Sequence, residues 1–260
     1  MNSKEMVRLH CKTLRLPTMA TVLEESILRA EQDNWSLAVF LTHLLEQEVE
    51  ARRLRRITRL QKQSKLPPGK TFAVFDESRL PLRIRRQLPQ LQEGAFVNRA
   101  QNVLCFGLPG TGKTHLAAAI GHSLVENGRS VLFAPTFKLV GRLLRAKREY
   151  ELERELRRLD KFEVVILDDI GYVQQSREEM EVLFTFLSER YERRSLVITS
   201  NLVFSEWDKI FKDPLTTAAA IDRVVHHSII IEFGRDIKSM RMEEATKRSQ
   251  QPLPAPPNLG

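Results

Sequence analysis

Residues 107–114 read Gly-Leu-Pro-Gly-Thr-Gly-Lys-Thr. The run matches G-x-x-x-x-G-K-[ST]. It follows an apolar stretch, Val103–Phe106, and opens a helical pattern that continues to about Glu126, where Gly128 ends it. Strand, glycine loop and helix in that order are the context that confirms the motif. Gly107, Gly110 and Gly112 let the backbone turn so that its N–H groups, including those of Pro109's neighbours and Thr111, point inward at an anion. The helix N-terminus adds partial positive charge. Such a loop takes the phosphates of ATP: Lys113 reaches the β- and γ-phosphates, and the Thr114 hydroxyl binds Mg²⁺.

The rest of the chain after residue 101 alternates in the way this loop requires. Ser130–Ala134, Val164–Leu167, Ser195–Thr199 and Ser228–Ile231 are short apolar runs. Helical patterns separate them: residues 137 to 160, a segment with Ser176 and Glu179 as a capping box, and two short helices before residue 228. Strands alternating with helices predict an α/β fold with a five-stranded parallel sheet flanked by helices. The third strand runs into Asp168-Asp169. Carboxylates there sit at the C-terminal edge of the sheet, where open α/β sheets bind ligands. Asp168 is expected in the Mg²⁺ shell, and Asp169 is expected to orient or deprotonate the attacking water. Thr199-Ser200-Asn201 ends the fourth strand in the same cleft, and Asn201 is a candidate contact to the γ-phosphate or that water.

The first hundred residues are organised differently. Three helical patterns occupy residues 3 to 15, 17 to 32 and 34 or 36 onward, with Thr21 and Glu24 spaced as a capping box in the second. The third carries Leu37, Phe40, Leu41, Leu44 and Leu45 at helical spacing and then turns arginine-rich. Lys65-Leu-Pro-Pro-Gly69 is a strong breaker. The expected domains are a helical N-terminal domain at 1–65, a basic connecting region at 66–100, an ATPase domain at 101–249, and a Pro-rich, disordered tail at 250–260.

Charge now becomes informative. The chain has 41 Lys and Arg against 33 Asp and Glu, a net +8. Residues 51 to 70 hold Arg52, Arg53, Arg55, Arg56, Arg59, Lys62, Lys65 and Lys70 and no acid, so this block alone matches the net charge. A second patch is Arg83, Arg85 and Arg86. Such blocks point to a polyanion, most simply double-stranded DNA held through its phosphates with low sequence specificity and steep salt dependence. Two distant cysteines, Cys11 and Cys105, give neither a metal framework nor a disulfide pair, which fits a reducing compartment. No stretch approaches a membrane span, and no signal peptide opens the chain, so a cytoplasmic location is expected. His226 and His227, read as adjacent residues of a helix, would point apart and serve structure rather than metal binding. Trp35 and Trp207 read as packing residues, and Cys105 as a small buried hydrophobe.

From about residue 10 to 242 the sequence resembles the IstB-type transposition helper ATPases of bacterial insertion sequences, a helicase-loader-like branch of the AAA+ superfamily. The resemblance is carried by Leu16-Pro-Thr-Met19, by Phe40-Leu-Thr-His-Leu-Leu-Glu46 and by the Arg-rich run into Lys65-Leu-Pro67. In the core it rests on Gly107 to Leu116 (which includes His115), Arg190-Tyr-Glu192, Thr199-Ser-Asn-Leu202, Glu206-Trp207 and Asp222-Arg-Val-Val-His-His227. It implies an AAA+ core without a full C-terminal lid, and a helper that binds ATP and assembles as a homo-oligomer with ATP at subunit interfaces. The oligomer would remodel double-stranded DNA and recruit the cognate transposase. By position, Arg223 resembles the arginine finger acting on a neighbouring subunit, and Arg241 the sensor 2 arginine. The sequence departs from the family pattern at Ile237 and Met240, so Arg235 or Lys238 are alternatives to Arg241. Asp169 replaces a common Glu, which implies weak basal hydrolysis stimulated by DNA or partner. A replicative helicase loader and a DNA-bending scaffold that uses ATP only as a switch are the competing readings.

Overall fold

The computed structural model describes residues 3–172, 176–202, 206–207 and 214–234. The candidate tail at 250–260, and Arg241 with its alternatives Arg235 and Lys238, lie outside the described residues. The chain divides into two compact units, Met1–Arg59 and Leu60–Gly260.

The first unit is helical. Helix α1 spans Ser3–Thr13, α2 Pro17–Gln32, and α3 begins at Leu37 and runs to Ser64. Cys11, Met19, Leu23 and Leu44 form its core, with Leu16, Val22, Ile27 and Phe40 packed around them. The proposed capping box at Thr21 and Glu24 does not form. Pro17, pre-set for a first helical turn, starts α2 four residues earlier. Thr21 is therefore inside the helix and its hydroxyl donates to the Pro17 carbonyl at 3.0 Å. Glu24 pairs with Arg8 at 2.8 Å. The cap comes from α3: Glu48 Oε2 accepts the Thr18 and Met19 N–H groups at 2.7 and 3.2 Å. A carboxylate at this end also complements the helix dipole.

The second unit holds a five-stranded sheet. Strands β1 (Asn102–Phe106), β2 (Val131–Pro135), β3 (Val164–Asp168), β4 (Ser195–Ser200) and β5 (Ser228–Glu232) lie in the order β2-β3-β4-β1-β5. Every pairing is parallel. The central strands are apolar on both faces because helices cover both sides, as parallel sheets require. Val103, Leu104, Cys105, Val165, Ile166 and Ile198 are all fully buried. Burial pushes the Cys105 thiol up to about 12, so it is inert at neutral pH. Trp207 is fully buried against Phe106, ring centroids 6.4 Å apart. Trp35 meets His43 edge-on at 5.1 Å.

Residues 66–100 are well packed within this unit. Short helices α4 (Leu82–Arg85) and α5 (Leu88–Glu93) bury Ile84, Leu88 and Leu91. Helix α6 spans Lys113–Glu126. Leu66 lies so close to Gly121 of α6 that a Cβ there would sit 2.6 Å from it. His122 Nε2 is 3.1 Å from the Pro67 carbonyl. The single helix expected at 137–160 is two, α7 (Thr136–Arg148) and α8 (Leu152–Asp160). Tyr150 adopts a left-handed backbone with φ 58°. The Glu151 N–H closes the break on the Ala146 carbonyl at 2.7 Å. Helix α9 (Arg177–Arg190) starts with the expected capping box of Ser176 and Glu179. Helix α10 spans Pro214–Val225; the shorter helix expected before it lies outside the described residues.

Candidate functional site

The site grows from the C-terminal ends of β1, β3 and β4. Gly107 leaves β1 with φ 153°, and a Cβ on it would lie 2.7 Å from Phe233 Cβ. Only glycine fits there, because β5 delivers Phe233 beside the loop and its N–H bonds to the Phe106 carbonyl at 2.8 Å. Gly110 and Gly112 also take positive φ, and Gly112 precedes α6. Pro109 is exposed at the crown of the loop. The Thr111 hydroxyl donates back to Leu108 O at 2.9 Å. Lys113 is buried to 9% exposure, and Nζ donates to the Gly107 and Leu108 carbonyls at 2.7 and 2.8 Å. Its ammonium is thus held inside the curve of the loop.

Three elements converge on one oxygen. Asp168 Oδ1, at the end of β3, accepts from the Thr114 hydroxyl of α6 and the Thr199 hydroxyl of β4, each at 2.8 Å. The Thr199 oxygen also accepts the Asp169 N–H at 2.8 Å. A third hydroxyl, Thr136, donates to the Asp168 carbonyl at 3.0 Å. Asp169 has φ 62°. That left-handed conformation is one that Asp tolerates better than longer acids, since its short side chain bonds locally. Asn201 follows β4 with a buried Oδ1 that has no hydrogen-bond partner among the described residues. This atom would lie 2.4 Å from a Cβ on Gly171, so the glycine after β3 makes room for it. The sequence marks Thr199 only as part of the polar end of the fourth strand, with no role of its own, and does not mark Thr136. A hydroxyl at the end of a strand neighbouring the acidic one was the available signal for Thr199.

The remaining candidates sit elsewhere. The His115 ring faces the 71–75 segment, with Nε2 3.1 Å from Thr71 O and Phe75 edge-on at 5.1 Å. Burial, with Lys70 nearby, holds its pKa below the ordinary imidazole value. Arg223, on α10, donates to Ser188 Oγ at 3.0 Å and lies 4.7 Å over the Phe184 ring. It lines a cavity with Asn102 and His227, residues at the starts of β1 and β5. Arg223 is therefore at the N-terminal edge of the sheet, opposite its own phosphate loop.

Arg52 Nε and Arg55 Nη2 bond to Glu48 Oε1 at 2.9 and 3.1 Å, and Arg52 also reaches the Arg15 carbonyl. Arg53 pairs with Glu50 at 3.1 Å. Arg56, Arg59 and Lys62 are exposed, as are Arg83, Arg85 and Arg86. Arg190 is a further cation that sequence analysis gave no role. It is 2% exposed and donates to the carbonyls of Leu159, Phe162, Glu163 and Ser195 at 3.0–3.2 Å. It ties α8, β3 and β4 together; burial pulls its pKa down to about 9, so it is still charged at neutral pH.

A family model described as "IstB-like ATP binding protein" matches residues 9–248. The chain belongs to this family. It is 44% identical to a putative insertion sequence ATP-binding protein of Sinorhizobium fredii over 90% of this chain and 79% of that one. It is 36% identical to the insertion sequence IS5376 putative ATP-binding protein of Geobacillus stearothermophilus, over 95% of this chain and all of that one, 100%. The fold is also that of the DnaI crystal structure, with a TM-score of 0.54 at 22% identity over 66% of this chain and 96% of that one. The five-stranded parallel sheet flanked by helices expected from the sequence is the architecture observed, preceded by N-terminal helices. Among the described residues no helix is long and apolar enough to cross a membrane.

Proposed function

We propose that this member of the IstB-like family is an ATPase that serves transposition, converting ATP and water to ADP and phosphate. The observation that carries this reading is the convergence of Thr114, Asp168 and Thr199 on a single carboxylate oxygen beneath the phosphate loop. Thr114 Oγ1 and Asp168 Oδ1 are hard oxygen donors suited to Mg²⁺. When bound, that ion would neutralise charge on the phosphate oxygens. The residues of the chain supply the rest. Gly107, Pro109, Gly110, Thr111 and Gly112 shape the loop, and Lys113 exchanges its two carbonyl partners for phosphate oxygens. Asn201 Oδ1 is buried and unpartnered among the described residues, which suits an acceptor for the attacking water. Asp169 is the candidate base. Hydrolysis by the free chain is expected to be weak and to rise with DNA or the transposase partner.

The same reading extends to assembly. Arg223 faces away from its own loop and would complete the site of a neighbouring subunit in a homo-oligomer. Double-stranded DNA would be held by the exposed cations Arg52, Arg53, Arg55, Arg56, Arg59 and Lys62 and by Arg83, Arg85 and Arg86. The assembled form would remodel DNA and recruit the transposase of the element. Phosphate release with and without random duplex DNA, for wild type and Lys113→Ala, tests this reading. Stimulation by DNA in wild type and none in the variant is expected. Salt-independent DNA binding, or equal rates in both proteins, would overturn it.

A further inference from the structure

His226 and His227 are not on a helix. They occupy the turn between α10 and β5, and the sequence-based expectation that they point apart fails for that reason. Their ring centroids are 4.2 Å apart. The turn is held at both ends: the His226 N–H bonds to Asp222 O at 3.0 Å, and the His227 carbonyl accepts the Asn102 N–H at 2.9 Å. The connection between α9 and β4 brings Glu192 to the same place, with its backbone in the left-handed region at φ 56°. Glu192 Oε1 lies 3.8 Å from His227 Nε2. One ligand atom from each of Glu192, His226 and His227 lies within 4.8 Å of the others.

We propose that Glu192, His226 and His227 form a surface site for a transition-metal dication of the Zn²⁺ class, at the sheet edge opposite the phosphate loop. Two imidazoles and one carboxylate are the donor set that such ions take, with a position left open for water or a further ligand. Bonds of about 2.0–2.1 Å at tetrahedral angles bring ligand atoms to about 3.3–3.4 Å from one another. Closing from 4.8 Å needs only side-chain rotation, and both His227 and Glu192 are more than half exposed, at 52% and 57%. The Tyr191 hydroxyl lies 3.1 Å from His226 Nδ1 and fixes that ring from outside, the place an orienting partner takes around a metal ligand. Access is open: Glu192 and His227 line a cavity of about 340 Å³. Arg99 and Arg223 line the same cavity. Their charge opposes a dication held by field strength alone and selects against Mg²⁺ and Ca²⁺, leaving ions that bond to imidazole nitrogen. An ion here would join the α9–β4 connection to the turn three residues beyond Arg223.

The test uses the full chain, free of a polyhistidine tag, stripped with chelator and kept without nucleotide. Titration with Zn²⁺ by calorimetry, and with Co²⁺ by visible absorption, reads site and coordination. One ion per chain is expected, with Co²⁺ bands of a four- or five-coordinate centre. Loss of an outer partner alone typically weakens a metal site about 10–100-fold, so His227→Ala and Glu192→Gln should each weaken binding at least about tenfold. Tyr191→Phe should weaken it less. The metal-free thermal transition of each variant identifies any that misfolds, and Glu192→Gln preserves shape and exposure. Wild type that binds neither ion at tens of micromolar overturns the proposal. So does unchanged affinity in folded His227→Ala and Glu192→Gln proteins, which would place the ion elsewhere.

Discussion

Arg223 and the phosphate loop occupy opposite edges of one sheet, and this gives the proposed trans action a quantitative consequence. Asn102 begins β1 beside Arg223, and Gly107 follows its end. Five residues of strand span about 16 Å, more than an arginine side chain covers from a backbone already at the far edge. If Arg223 contributes to hydrolysis, it does so in another subunit. Arg223→Ala removes the bond to Ser188 and the contact with Phe184. That costs about 1–2 kcal/mol of stability against a typical total of about 5–15 kcal/mol, so the variant stays folded. An arginine finger is worth about 10³–10⁵ in rate in other NTPases, so Arg223→Ala should be nearly inactive, and Lys113→Ala equally so. Mixed in equal amounts and assembled together on DNA, the two variants restore intact sites. A site is intact where a subunit with Lys113 meets a neighbour with Arg223, which random assortment at a head-to-tail interface supplies in about a quarter of contacts. Phosphate release should recover to about a quarter of the wild-type rate on mixing. Co-assembled mixtures that remain inactive, or Arg223→Ala acting at the wild-type rate alone, would refute the reasoning.

Thr199→Val keeps the shape of β4 but removes the hydroxyl shared by Asp168 and Asp169; turnover should fall about 10–100-fold with nucleotide affinity nearly unchanged, read by ATPase kinetics beside equilibrium nucleotide binding. Arg190→Met leaves four carbonyls without their buried donor, and urea denaturation should show a loss of about 3–5 kcal/mol. Burial alone would raise the Glu48 pKa, but the bonds from Arg52 and from the Met19 and Thr18 N–H groups outweigh it and hold the carboxyl below its ordinary 4.5. Its contribution is therefore complete above the unfolded value and is lost as pH falls through 4.5 toward the lower folded value. Urea midpoints measured from about pH 6 down to about pH 3 should decline less in Glu48→Gln than in wild type; parallel declines would count against the cap.

Much of this architecture is legible in the sequence because its signals are local. Each strand is a short apolar run with turn residues at its ends, and the glycine loop defines its own neighbours. The Ser176–Glu179 capping box forms because both partners lie within one turn. What stayed hidden depends on residues far apart in the chain. Glu48 caps a helix that begins some thirty residues earlier, and no local pattern announces that. Thr199 acquires its place only when β4 pairs beside β3. One residue in a left-handed conformation, Tyr150, divides what reads as a continuous helix. His226 and His227 change meaning because α10 stops one residue before them.

The strand order explains why the phosphate chemistry and Arg223 are carried on opposite sides. β1 lies between β4 and β5, so the loop after β1 meets Ser200 on one flank, through the Gly107 N–H, and Phe233 on the other. Parallel strands send every such loop to one edge. The turns that enter the strands, with Glu192 and His227 among them, gather at the other, beside Arg223 in the last turn of α10. A subunit built this way presents a nucleotide cleft and a candidate finger on different surfaces, and the two can meet only head to tail. Such a heterologous contact cannot satisfy itself in a two-fold dimer. It either closes into a ring or continues as a helix, and the proposed hold on duplex DNA through its phosphates would gain from either, because each added subunit would repeat the same basic contacts along the backbone.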